Sequence, residues 1–289
     1  MSGASNYGPN PWQQTSWDWR AAGNYICGGA GTGLLMASAL FGTAAPASLW
    51  SPDWLVFAGL ALVGLGLLSV WLEIGRPLRA LNVFINPWTS WMSREAIVSV
   101  VLFPAGLAAM LGFAGWLWIT AVLALGFLYC QSRMLPAARG IPAWRSDWLS
   151  PLFLLTAACE GCGIFLMLGF LHGRVTDSVV IVFPLLLVLR VLAWQRYRSS
   201  VDASLTVPAR RVLDRAHLHL ASLGTTTPAL LVLVGWWFGG TAQTLLLALA
   251  DACAAGAGGY MKYQLVTRAA FNQGFALFKM PVRGVRDKQ

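Results

Sequence analysis

The sequence predicts an all-α integral membrane protein: eight transmembrane helices in one bundle, with both termini cytoplasmic. Three observations point to it. The 289 residues are 57% hydrophobic and only 11% charged, with a mean hydropathy of +0.63, whereas a soluble domain carries about 25% charged residues. This excludes an ordinary water-soluble enzyme, a disordered chain and a coiled coil. The apolar residues fall into runs long enough to cross a bilayer, at roughly 20 residues per helix. The basic residues fall almost entirely between alternate runs, and 15 Trp and 14 Phe suit a protein with two membrane interfaces.

The elements follow in order. Residues 1–20, ending WQQTSWDWR, are polar and aromatic. They read as a partner-docking segment rather than a cleavable signal peptide, because the apolar run behind them is too long for a signal core. Span one, 21–44, contains Gly28-Gly29-Ala30-Gly31-Thr32-Gly33. No strand precedes this run, so it is not a phosphate loop; Gly29 and Gly33 form a GxxxG pair that lets helices approach closely. Asn24 precedes it, placed to bond a ligand carbonyl or a neighbouring helix. Span two, 54–74, ends before Pro77, whose ring and missing N–H stop a helix. Span three, 95–113, opens on Glu95, where a carboxylate meets the positive end of the helix dipole. Span four, 115–133, carries Tyr129 near the same surface.

Span five, 149–171, holds Cys159, Glu160 and Cys162. An iron–sulfur cluster needs about four Cys ligands. The five Cys, at 27, 130, 159, 162 and 253, offer no second pair and no disulfide framework, so the CxxC reads as packing. Spans six, seven and eight are 177–195, 219–238 and 240–261. Pro104, Pro184 and Pro228 lie inside spans, where membrane helices tolerate them with a kink. The chain then divides into the docking segment 1–20, a transmembrane domain 21–261 and a basic cytoplasmic tail 262–289.

The net charge is +9, from 20 Lys and Arg against 11 Asp and Glu. Eighteen of the 20 basic residues lie in the N-terminal segment, loops 2–3, 4–5 and 6–7, and the tail; Arg174 lies opposite and Arg190 lies within span six. Such a split marks the cytoplasmic side. It also reads the positive charge as topology, lipid-headgroup contact and partner docking, not as nucleic-acid binding.

Ionisable groups inside apolar spans cost roughly 2.5–3.5 kcal/mol each on insertion scales. Glu160, Asp251 and Arg190 are the candidates for a proton path. A polar relay and a structural ion pair both explain them, with Arg190 pairing one carboxylate or snorkelling inward. His172, His217 and His219 do not face one another at a common depth, so no haem is expected in this chain, and no metal site either.

The densest polar constellation is WLEIGRPLR, 71–79, followed by SWMSRE, 90–95. Glu73 and Arg76 share a helix face. Topology and capping explain part of it. Two carboxylates, three Arg and a Ser gathered at one depth also suit a quinone headgroup, which needs donors for two carbonyls, a proton-exchanging group and an apolar slot for its tail. Asn24, Glu73, Glu95 and Tyr129 all lie near the same ends of neighbouring spans and supply the polar part.

The stretch GRPLRALNVFINPWTSWMSREA, 75–96, resembles the loop 2–3 signature of membrane anchors of complex iron–sulfur molybdoenzymes. These are the polysulfide reductase, nitrite reductase (NrfD-like) and dimethyl sulfoxide reductase anchors. The resemblance implies a quinone-reactive anchor in the bacterial inner membrane, part of an electron-transport complex and without a catalytic residue of its own. It would use ubiquinone or menaquinone and carry neither haem nor an iron–sulfur cluster. Its partners would be a ferredoxin-like four-cluster iron–sulfur subunit and a molybdopterin catalytic subunit, docked on the cytoplasmic face. The position preceding the Ile-Gly-Arg-Pro run is often His in these anchors; here it is Glu73. Asn24, Glu95 and Tyr129 match polar, acidic and Tyr positions of the family. Arg76 is carried to the quinone site; Trp17, Trp19, Arg20, Arg79 and Arg94 to partner docking. The N-terminal WQQTSWDWRAAGN also resembles anchors found with phenylacetyl-CoA:acceptor oxidoreductase systems. A transporter or proton-translocating protein built on Glu160, Asp251 and Arg190, and a purely structural anchor, are the competing readings.

Overall fold

The computed structural model describes residues 11–42, 53–73, 77–171 and 177–273; Arg76, His172 and Arg174 lie outside them. The described residues are helical, with one isolated bridge, Gln13 to Phe271, and no strand. The first helix runs as α1 (Trp19–Gly23), a π-helical turn (Asn24–Gly28) and α2 (Gly29–Phe41) without a break. Then come α3 (Trp54–Trp71), α4 (Trp91–Met110), α5 (Trp116–Ala137), α6 (Leu149–Leu171), α7 (Asp177–Val201), α8 (Val207–Ala221), α9 (Thr227–Phe238) and α10 (Gly240–Tyr263).

Seven helices among the described residues are long and apolar enough to cross a membrane; they match spans two to eight. Several boundaries differ from the sequence expectation: α5 and α7 run on to Ala137 and Val201, α4 stops at Met110, and three further differences bear on the site. Span three begins four residues earlier, at Trp91, because the Ser90 hydroxyl caps it by accepting from Ser93 N at 3.2 Å. Glu95 therefore does not open the helix at its dipole end; it lies one turn inside, turned to the interior and 3% exposed. Span seven begins at Val207, where the Thr206 hydroxyl and Pro208 start α8. The helix then passes through a π-helical turn, Ser222–Thr226, into α9. Much of the basic loop 6–7 is thus an amphipathic helix. Span eight continues past residue 261 to Tyr263 and a third π-helical turn, Gln264–Arg268.

The glycine-rich α2 sits at the centre, between α3 and α5 on one side and α6 on the other. Gly33 meets Ala157 and Gly161 of α6 backbone to backbone, so any side chain there would force the helices apart. Cys159 and Cys162 are buried among Phe165, Val179, Phe183 and Ala250, as packing residues.

One end of the bundle gathers the basic loops. There Trp144 donates from Nε1 to Leu265 O at 2.9 Å, and Tyr197 Oη donates to Ala143 O at 2.8 Å. The segment before α1 lies across this end, with Gln14 N on Ala270 O at 2.9 Å and Asn272 N on Trp12 O at 3.1 Å.

Candidate functional site

Asn24 sits at the first residue of the π-helical turn, and its backbone carbonyl turns toward α5. Gln131 of α5 donates from Nε2 to that carbonyl at 3.0 Å and to Glu95 Oε1 at 3.3 Å. Asn24 Nδ2 also donates to Glu95 Oε1, at 3.2 Å. Asn24, Glu95 and Gln131 are all buried, at 4%, 3% and 0% exposure. Two glycines make the room: a Cβ at Gly28 would fall 2.6 Å from Gln131 Nε2, and one at Gly66 would fall 3.0 Å from Asn24 Oδ1.

A cavity of about 210 Å³ opens beside this cluster, lined by Trp17, Ala21, Asn24, Tyr25, Val70, Glu73, Met92, Glu95 and Met134. Tyr25 Oη, Asn24 Oδ1 and Gln131 Oε1 are buried without a hydrogen-bond partner. Buried polar atoms are rarely left so; around a cavity they are groups a guest can satisfy. Farther along the α3–α4 seam lies an apolar groove of about 580 Å³, lined by Phe57, Leu60, Ala61, Gly64, Phe103, Pro104, Leu107 and Met110.

Glu73 lies at the cavity's mouth, beyond the end of α3. Partial burial holds its carboxyl above the usual range, Asp18 adds repulsion, and Arg20 opposes both. Asp18 itself is held low, chiefly by its side-chain hydrogen bond to Arg20 at 2.8 Å. Arg20 also donates to Leu72 O at 3.2 Å, tying the N-terminal segment to the end of α3.

The other sequence-predicted residues are distributed differently. Tyr129 is 45% exposed and stands edge-on to Trp91 at 5.7 Å, away from the cavity wall. Arg94 turns back on its own loop, donating to Pro87 O at 2.8 Å and Trp88 O at 2.7 Å, and lies over the Trp91 ring. Trp17 stacks near Tyr25 and Trp144 as part of the cavity wall, whereas Trp19 is 60% exposed. Arg79 falls in the short 3-10 helix Pro77–Phe84. Gln131 and Tyr25 are site residues that sequence reasoning misses; a polar side chain one to two turns before the end of α5, and a Tyr next to Asn24, are their signals.

Across α2 lies a second cluster. The sequence leaves Arg190 either to pair one carboxylate or to snorkel inward; the structure pairs Glu160 with Lys262, at 2.5 Å, both essentially buried. Lys262 falls at the start of the expected basic tail; because α10 continues past residue 261, its ammonium turns inward. Arg190, fully buried, donates to Ala254 O at 3.0 Å and to Gly224 O. Gly224 O is free to accept because the residue four later is Pro228, which has no N–H.

Membrane-length helices and no strand among the described residues define the class: a multi-pass membrane protein, with a cavity near the basic end. The family model of the DMSO reductase anchor subunit (DmsC) matches residues 54–236, more than half of the chain; the protein belongs to that family. It is similar to a subunit of the anaerobic dimethyl sulfoxide reductase of Escherichia coli (strain K12), 30% identical over 110 residues, 35% of this protein and 38% of that subunit. The Haemophilus influenzae (strain ATCC 51907 / DSM 11121 / KW20 / Rd) counterpart is 28% identical over 116 residues, 37% and 41% of the two sequences. The matched stretches span about two fifths of the length of these curated relatives.

Proposed function

We propose that this chain is the quinone-reactive anchor of a molybdopterin oxidoreductase complex. The observation that carries the reading is a buried carboxylate, Glu95, held by two amide donors in the wall of a cavity near the basic end. A bound quinone supplies two-electron chemistry coupled to two protons. Asn24 and Tyr25 line the cavity: Tyr25 Oη is the donor for a headgroup carbonyl, and Asn24 Oδ1 accepts from the hydroxyl of the reduced headgroup. Glu95 and Glu73 are the groups that hold or release a proton there. Trp17 and Met92 close the cavity against water, and the apolar α3–α4 groove suits an isoprenoid tail.

The rest of the reading follows from the family. The chain sits in a bacterial inner membrane, with Trp19–Phe41 as an eighth span and both termini cytoplasmic. Its basic end receives a ferredoxin-like four-cluster iron–sulfur subunit, which carries the molybdopterin subunit and its substrate site. Electrons pass between the nearest cluster and the ubiquinone or menaquinone pool. Arg79 and the exposed Trp19 belong to the docking surface, whereas Arg94 shapes the loop beneath it. Membership of an anchor-subunit family favours this over the transporter reading.

The test is binding of a quinol analogue whose fluorescence is quenched on binding, with the purified chain in detergent. Glu95→Gln weakens binding about tenfold, the value of a hydrogen bond to a charged group, and Tyr25→Phe weakens it less. Tyr129→Phe leaves it unchanged. Unaltered binding in both Glu95→Gln and Tyr25→Phe sinks the assignment.

A further inference from the structure

The α6, α7 and α10 half of the bundle carries titratable groups that the quinone reading does not use. On α10, Asp251, Ala254, Gly258 and Lys262 follow one another at spacings of three and four, which places them on one face. Lys262 Nζ holds Glu160 at 2.5 Å. A Cβ at Gly258 would fall 2.6 Å from Glu160 Oε1 and 3.3 Å from Arg190 Nη1, so the carboxylate and the guanidinium converge on the gap that glycine leaves. Three atoms of the cluster are buried with no hydrogen-bond partner: Glu160 Oε1, Arg190 Nε and Asp251 Oδ1. Bound water or a bound proton is what ordinarily completes such groups.

The cluster has a direction. Lys262 lies at the basic end of α10, and Asp251 lies about 16 Å deeper along the axis, at 1.5 Å per residue. Beyond Asp251 and Glu160, α10 and α6 contain no Asp, Glu, Lys, Arg or His on the way to the opposite end. The polar route therefore reaches mid-membrane and stops.

We propose that Glu160, Lys262, Arg190 and Asp251 form a proton-exchange site reached from the basic end alone. A proton leaves water at that end, passes the Lys262–Glu160 pair and lands on Asp251 Oδ1; it returns by the same route. No electron moves and no other bond changes. Arg190, pinned on two carbonyls, holds the pair in register. The titratable groups facing the site are Cys27 of the first π-helical turn and Cys159 and Cys162 of α6; α9 presents none, and the exposed His219 of α8 packs on Tyr260, off this face of α10.

The test uses the full chain in oriented vesicles without quinone, so its failure leaves the quinone reading standing. Infrared difference spectra are recorded after a pH step on one side. The site predicts a carboxylic-acid C=O band that answers a step at the basic end, shifts in D2O and vanishes in Asp251→Asn. Gly29→Ala keeps every charge but sets a Cβ 2.5 Å from Lys262 Nζ; it slows the response about ten- to a hundredfold, as misplacement of a transfer group does. The proposal is overturned by the absence of such a band in folded wild type, by its persistence in Asp251→Asn, by an equal response from the opposite side, or by Gly29→Ala responding at the wild-type rate.

Discussion

Glu95 and Glu160 are buried to nearly the same degree, 3% and 1% exposed, on opposite sides of the same glycine helix, and they are held by opposite means. Glu95 faces two neutral amides and a cavity. Glu160 faces an ammonium in close contact, with a guanidinium nearby. Consecutive glycines serve the two clusters: Gly28 makes room for Gln131, and Gly29 for Lys262. The amide-held carboxylate is left with unpartnered neighbours that a guest can use. The cation-held carboxylate has its charge matched internally, and it braces α6 against α10.

The largest expected effect separates these two modes. Removing one partner of a buried ion pair strands the other, at a cost of about 3–5 kcal/mol. Lys262→Met should therefore lower stability in detergent by that order, and Glu160→Gln added to it should recover part of the loss. Glu95→Gln keeps shape and hydrogen bonding, and should cost only about 1 kcal/mol. Thermal unfolding of the full chain checks all three. Equal, small losses for Lys262→Met and Glu95→Gln would break the comparison.

Gly28→Ala comes next. Its Cβ would meet Gln131 Nε2 at 2.6 Å, and overpacking of this kind costs about 1–3 kcal/mol. Gln131 would have to leave Glu95, so quinol-analogue binding should fall together with stability. Wild-type binding in a folded Gly28→Ala variant would show that Gln131 does not hold the site.

Much of this is legible in the sequence. Apolar runs and flanking Trp and Pro locate the spans, since hydropathy alone decides what a bilayer accepts. Asn24, Glu73 and Glu95 stand out because polar residues near span ends are conspicuous, and the structure brings all three to one cavity. Tyr129 meets the same criterion but points the other way: depth along a helix is readable, rotation about its axis is not. Helices that are apolar nearly all round give no periodicity from which to read a facing direction. Lys262 misleads for a related reason. A lysine at a span end is indistinguishable from a topology signal until the helix is seen to continue past it. The pairing of Arg190 with carbonyls rather than carboxylates rests on contacts with Gly224 O and Ala254 O, 34 and 64 residues away in the chain, that no local pattern announces.

The smallest expected effect concerns the cavity's mouth, where the amide-held side meets water. Glu73 is held above the ordinary carboxyl range, first by burial and then by Asp18. A carboxyl raised in the folded state binds its proton more tightly there than in the unfolded chain. Its contribution to stability is therefore present at acid pH and is lost as pH rises through the raised value. Glu73→Gln should remove that loss, and the mutant should gain on wild type as pH rises from about 4 to 7. Because Glu73 is partly open to solvent, the gain should be only roughly a few tenths of a kcal/mol. Asp18→Asn should reduce the pH step without abolishing it, since burial is the larger cause. Unfolding curves for the three proteins across that range decide it. If Asp18→Asn flattened the profile completely, repulsion rather than burial would govern the mouth, and Glu73 would belong with the charge-held residues instead of with Glu95.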